Sequence, residues 1–97
     1  MNLTLNCEGL ETNLISTEHD FGGVLYRFKF DNGYGASVIK HRYSYGSDQD
    51  LWELAVLDSF DRNPNGELTY DTPITDDVVG YLTDEEVRNL LEQIKGL

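Results

Sequence analysis

Asp61, Asn63 and Asn65 stand at alternate positions ahead of Gly66 and Leu68. A calcium loop presents its first oxygen ligands, its turn glycine and its apolar anchor in the same order. Closing such a loop takes a bidentate glutamate, where this chain has Thr72, and flanking helices, where it has strand-like runs. One carboxylate among the early ligands is too little charge to bind a divalent ion well. The segment therefore reads as a hairpin turn, with a weak calcium-binding module as an alternative. His41 is the second candidate, because an imidazole beside a nucleophile or substrate proton acts as a general base. It lies between Lys40 and Arg42, near Tyr43 and Ser44, and nothing in the sequence fixes that geometry; His19 has no such company. No serine sits in a glycine elbow, no glycine loop is built to cradle phosphate, and no histidines pair at metal spacing. Glu53 and Asp58 can serve a hydrolase in principle, but eighteen acids make some such pair inevitable. The expectation is a protein without catalysis and without a cofactor.

The acids themselves carry more information. Thirteen of the eighteen lie from Asp48 to Glu92, answered only by Arg62, Arg88 and Lys95, so most of the formal charge of −11 belongs to the second half. They form three clusters: Asp48, Asp50 and Glu53; Asp76 and Asp77; and Asp84, Glu85, Glu86 and Glu92. Each has a local explanation. Negative charge in a first helical turn stabilises the backbone dipole, Asp76 suits a cap, and Asp48 suits a turn. Their sum exceeds what solubility asks, a magnitude of roughly 2 to 8 for a small domain. Carboxylates spread like phosphates can occupy a basic cleft, where lysines and arginines respond to charge position. The partner expected is a protein with a basic surface, met by Asp48, Asp50, Asp76, Asp77, Asp84 and Glu85. Tyr43 and Tyr45, with Tyr81, supply aromatic anchors of the kind interfaces favour. Direct nucleic-acid binding is disfavoured, since Arg27, Lys29, Lys40 and Arg42 make only a small basic group, and anionic membranes repel such a chain.

Ninety-seven residues suit one domain, 1–97, and a 39% hydrophobic content with eleven aromatic residues argues against disorder. Cys7 is the only cysteine, which excludes an internal disulfide and suits a reducing compartment. The N-terminal residues lack a signal-peptide pattern, and no run of about 18 apolar residues occurs.

These side chains need elements to position them. Asn2 to Cys7 alternates like a short strand, and Leu10 to Ser16 fits either a helical turn or an irregular strand. Gly23 to Phe30 is the clearest strand, with Val24, Tyr26, Phe28 and Phe30 on one side. Asp31 to Gly35 turns it back into a second strand, about Ala36 to Arg42, leaving open whether Val38 or Ile39 faces inward. Leu51 to Asp58 is apolar enough for a central strand covered on both sides. Glu67 to Tyr70 reads as a short returning strand, and Thr75 to Val79 as one helical turn broken at Gly80. Thr83 and Glu86 form a capping box, and Val87, Leu90, Leu91 and Ile94 make one apolar stripe closed by Gly96. The fold class predicted is α+β, an antiparallel sheet of three to four strands with a C-terminal helix packed on one face.

The run Tyr34-Gly-Ala-Ser-Val-Ile-Lys-His-Arg-Tyr-Ser-Tyr-Gly46, the strand Leu51-Trp-Glu-Leu-Ala-Val-Leu57 and the tail Tyr70-Asp-Thr-Pro-Ile-Thr-Asp-Asp-Val-Val-Gly-Tyr-Leu82 resemble small bacteriophage and prophage proteins. The resemblance covers about residues 23–97 and carries over no site residue. It implies the cytoplasm of a bacterial host and a short acidic protein that binds and inhibits a host nucleic-acid-handling protein, of DNA-mimic or anti-defence type. A self-associating virion structural or assembly component is the alternative it leaves.

Overall fold

In the computed structural model, which describes residues 1–97, the most apolar runs of the chain become the middle of an antiparallel sheet. β1 (Leu14–Asp20), β2 (Gly23–Lys29), β3 (Gly35–Lys40) and β4 (Trp52–Asp58) lie side by side in chain order. The far edge of β4 is shared. β6 (Val79–Leu82) pairs along its first half, through Trp52 and Leu54, and the two-residue β5 (Glu67–Leu68) pairs at its end, through Leu57 and Asp58. α1 (Asp84–Lys95) follows β6 and packs on β3, β4 and β6. The class is α+β as expected, with six strands instead of three or four.

Each strand that the sequence concealed has a physical reason. β1 is an edge strand whose residues are exposed or half-buried throughout, so Ser16-Thr-Glu-His-Asp20 shows no apolar alternation. The helical turn expected at Thr75 to Val79 does not form; that stretch bends irregularly into β6, which starts at Val79. Gly80 lies inside it, where a Cβ would come within 2.5 Å of the Tyr45 Cβ, so this glycine marks close approach between segments and not a break.

Register settles the open question on β3. Val38 lies opposite Tyr26 and Leu54, and Ala36 opposite Phe28 and Val56. Directly opposed residues share a face, so Val38 points into the core with Val24, Phe28, Leu54 and Val56, while Ile39 is turned outward and half-buried. Ala55 and Leu57 are buried from the other side of β4, as a strand covered on both faces requires.

The inner face has two covers. α1 contributes Val87, Leu91 and Ile94, all fully buried, and Leu90 in part. Fully burying each such side chain stabilises by roughly 1.5–3 kcal/mol. Its capping box is complete: the Thr83 hydroxyl accepts from the Glu86 amide at 3.2 Å and Glu86 accepts from the Thr83 amide at 3.0 Å. Those bonds from Thr83, the backbone one foremost, hold the Glu86 carboxyl below its ordinary value. At the other end Gly96 is not left-handed; the Asn32 side-chain amide instead donates to the Ile94 carbonyl at 2.8 Å.

The second cover is the N-terminal segment. Its alternation is real in burial, with Leu5 buried and Leu3 and Cys7 half-buried between exposed neighbours, yet it pairs with no strand. Side chains hold it in place of a ladder. The Tyr26 hydroxyl donates to the Leu3 carbonyl at 2.8 Å and accepts from the Leu5 amide at 3.3 Å. Arg88 donates to the carbonyls of Asn6 and Glu8, both at 2.7 Å. Leu10 is fully buried where the strap ends, and the turn Glu11–Asn13 then leads into β1, so both readings of Leu10 to Ser16 hold in part. Desolvation under this strap pushes the Cys7 thiol up.

Candidate protein-interaction surface

Antiparallel order brings three connections to one end of the sheet: the β1–β2 turn around Phe21, the β3–β4 loop from His41 to Leu51, and the β6–α1 junction. Backbone bonds join them. The Arg42 amide donates to the Phe21 carbonyl at 3.1 Å and the Tyr81 amide to the Tyr45 carbonyl at 3.2 Å. Inside, the Trp52 indole N–H donates to the Asp84 carboxylate at 2.6 Å, fastening β4 to the first turn of α1.

Lys40 closes the same end from within. Only 2% of it is exposed, and its ammonium sits 4.2 Å from the Trp52 ring centroid while donating to the Asn2 carbonyl at 2.8 Å and to Asp50 Oδ1 at 3.0 Å. A buried ammonium is tolerated only when paired and hydrogen-bonded; the Asp50 carboxylate and the Asn2 carbonyl meet both conditions, and the Trp52 ring adds to them. Asp50 also accepts from the Asn2 amide at 2.7 Å. That backbone bond first, and Lys40 second, hold its carboxyl below the ordinary carboxylate value.

Four aromatic rings are displayed on these connections: Phe21 (52% exposed), Tyr43 (66%), Tyr45 (61%) and Tyr81 (53%). Phe21, His41 and Tyr43 form an edge-to-face group, with centroids 5.2 Å apart for Phe21 and Tyr43 and 5.5 Å for Phe21 and His41. Two of the displayed rings stand on left-handed backbone, Phe21 at φ 48° and Tyr81 at φ 59°, and Asp50 shares that conformation at φ 61°. Bulky residues rarely adopt it.

The expected contact residues divide. Asp48, Asp50, Asp84, Glu85, Tyr43 and Tyr45 fall to this end. Asp76 and Asp77 precede β6 along the β4 edge, and Asp77 accepts from the adjacent Val78 amide at 2.7 Å. Two of the carboxylates also have structural partners, Asp50 in Lys40 and Asp84 in Trp52. Phe21 was hidden from sequence reasoning together with β1, although Asp20-Phe-Gly-Gly23 is itself a turn signal.

Of the first-half cations only Lys40 neutralises an acid of the second half, Asp50. Arg27 pairs with Glu18 across β1 and β2, Lys29 lies 5.7 Å from the Phe60 ring centroid, and Arg42 forms no ion pair. Of the thirteen acids from Asp48 onward only Asp50 and Glu67 are in ion pairs, which leaves eleven unpaired.

The other candidate chemistries find specific placements. His41 Nδ1 accepts from the Tyr43 amide at 3.1 Å, and the Ser44 hydroxyl bonds to the His41 backbone instead of its ring. His19 is exposed on edge strand β1. Asn63 Oδ1 accepts from the Asn65 amide at 3.0 Å, a tight turn with Gly66 left-handed at φ 72°. No group of three or more His, Cys, Asp or Glu side chains is disposed to hold a metal ion. No helix is long and apolar enough to cross a membrane.

Scanned against protein-family models, the curated proteins and the solved structures, the chain gives no match in any of the three. The likeness to small phage and prophage proteins therefore rests on the residues quoted for it.

Proposed function

We propose that this chain is a small acidic accessory protein that binds a protein bearing a basic, nucleic-acid-handling surface and inhibits it by occupying that surface. The observation that carries the reading is the set of eleven unpaired carboxylates in the second half. Such a field speeds encounter with a cationic partner and makes association salt-dependent. Asp48, Asp76, Asp77 and Glu85 are the contacts with least structural employment. The phage-type, anti-defence setting belongs to the same proposal and draws on the resemblance alone.

The test is an affinity capture from bacterial lysate at low and high salt, run beside a variant with Asp48, Asp76, Asp77 and Glu85 changed to amides. Capture of defined proteins by the parent, lost at high salt and lost in the variant, is the expected result. Equal capture by both chains removes the acidic-surface reading.

A second reading has one observation in its favour. β1 is an edge strand with one side unpaired, and such an edge is a template for adding another chain. On that reading the protein is a self-associating assembly component, and size-exclusion chromatography returns a defined oligomer in place of a monomer.

A further inference from the structure

We infer that the ring-bearing end of the sheet is a docking site for arginine and lysine side chains of a partner protein, with Phe21, Tyr43, Tyr45 and Tyr81 as its platform. The inference rests on the acidic-surface reading and adds to it the chemistry of recognition. Cations are drawn to aromatic faces, and more strongly where carboxylates flank them. The chain uses this chemistry internally at the base of the same loop, where Lys40 sits over Trp52 while bonded to Asp50. The four outer rings are exposed on connections that also carry Asp20, Asp48 and Glu85, all exposed. Glu53 also belongs here, since it accepts from the Tyr45 amide at 2.9 Å.

The other occupants fit less well. A second copy brings another charge of −11 to a surface already negative. Nucleic acid stacks on exposed rings, but its phosphates meet the same repulsion, and Arg42 is the one arginine or lysine of the β3–β4 loop. A purely apolar partner uses the rings and leaves the carboxylates beside them without counter-charge. A segment rich in arginine and lysine satisfies rings and carboxylates together.

The probe is an eight-residue peptide of alternating arginine and glycine, titrated at low salt into 15N-labelled full-length protein. The control replaces arginine by citrulline, which keeps the shape and removes the charge. Amide shifts are expected to concentrate at residues 20–23, 41–46 and 80–82 and to vanish with the control. Two ring variants, Phe21→Leu with Tyr43→Leu and, separately, Tyr45→Leu with Tyr81→Leu, keep apolar bulk and lose the π face. Each should weaken binding about tenfold, the size of two surface cation–π contacts, and the variants' own spectra report whether they are folded. Absence of shifts, shifts spread evenly over all acids, or unchanged affinity in both ring variants overturns the inference. If the amide variant of Asp48, Asp76, Asp77 and Glu85 alone loses the peptide, this inference fails and the acidic-surface reading stands. If neither kind of variant matters, both fail.

Discussion

The two ends of the sheet solve the same problem, reversing an antiparallel chain, in different ways. At the end carrying the β2–β3 turn and the β4–β5 connection, Asn32 and Asn63 side chains accept from amides two residues on, and Gly33 and Gly66 take the left-handed positions. Phe60 folds back over that end and would lie 2.7 Å from a Cβ on either Gly35 or Gly66. At the opposite end Gly22 and Gly46 are left-handed too, but so are Phe21, Asp50 and Tyr81, three of the four non-glycine residues with that conformation; the fourth, Ser59, lies in the β4–β5 connection. One end places glycine at all its left-handed positions but Ser59. The other keeps exposed aromatic rings at strained positions, as functional sites often do.

Truncation at the two ends should show the largest difference. Trp52 is fully buried, pairs edge-to-face with Tyr26 at 5.8 Å and supports both Lys40 and Asp84. Trp52→Ala should cost about 3–5 kcal/mol. Phe60→Ala, half-buried at the other end, should cost about 1–2 kcal/mol, since only part of its apolar area leaves water on folding. Urea denaturation of both variants checks the asymmetry, and equal losses break it.

Glycine exchanges sharpen the comparison at smaller scale. A left-handed L-residue costs roughly 1–2 kcal/mol, while introducing glycine in a strand loses roughly 0.5–1 kcal/mol through chain entropy. Tyr81→Gly should therefore stabilise by about 0.5–1 kcal/mol. Phe21→Gly should be near neutral, because edge-to-face contacts worth about 0.5–1.5 kcal/mol are lost with the ring. Gly66→Ala should destabilise by about 1–2 kcal/mol from the left-handed backbone alone, with Phe60 crowding the new methyl. Thermal melts with signs reversed from these would mean that the ring-bearing end is not strained.

Acid should distinguish the ends most gently. The Asp50 carboxyl is depressed in the fold, so its contribution is fully present above the ordinary value of 3.8 and is lost as pH falls below that through the folded value. The Asn2 amide, bonded to Asp50, should then exchange faster with solvent as pH falls relative to its intrinsic rate, and Asp50→Asn should flatten that dependence. Glu67→Gln, at the opposite end in an exposed ion pair of 3.6 Å, should leave the Asn2 profile unchanged. Amide exchange followed by NMR decides it.

The relaxed end was also the readable one. Asn32-Gly33 and Asn63-Pro-Asn-Gly66 declare their geometry locally, and at the other end only the Thr83/Glu86 capping box does so, so β2, β3, β4 and α1 could be placed from residue types. β1 gave no apolar rhythm because it lies at an edge, and β6 was masked by Gly80, whose role is contact with Tyr45. Tyr43 and Tyr45 were legible as anchors, and the acids around them as a cluster. What brings them together was not: the Lys40–Trp52–Asp50 arrangement joins β3, its following loop and β4 through a buried charge, and spacing along the chain carries no trace of it.

The strap's attachment to Arg88 spans separations of 82 and 80 residues. During vectorial synthesis Tyr26 can hold Leu3 and Leu5 early, but the Asn6 and Glu8 carbonyls have no guanidinium partner until the helix emerges. Assembly should thus finish by docking this segment onto a nearly complete body. A slow final phase sensitive to Arg88 would be its kinetic trace, since contacts of such long sequence separation form late and at high entropic cost.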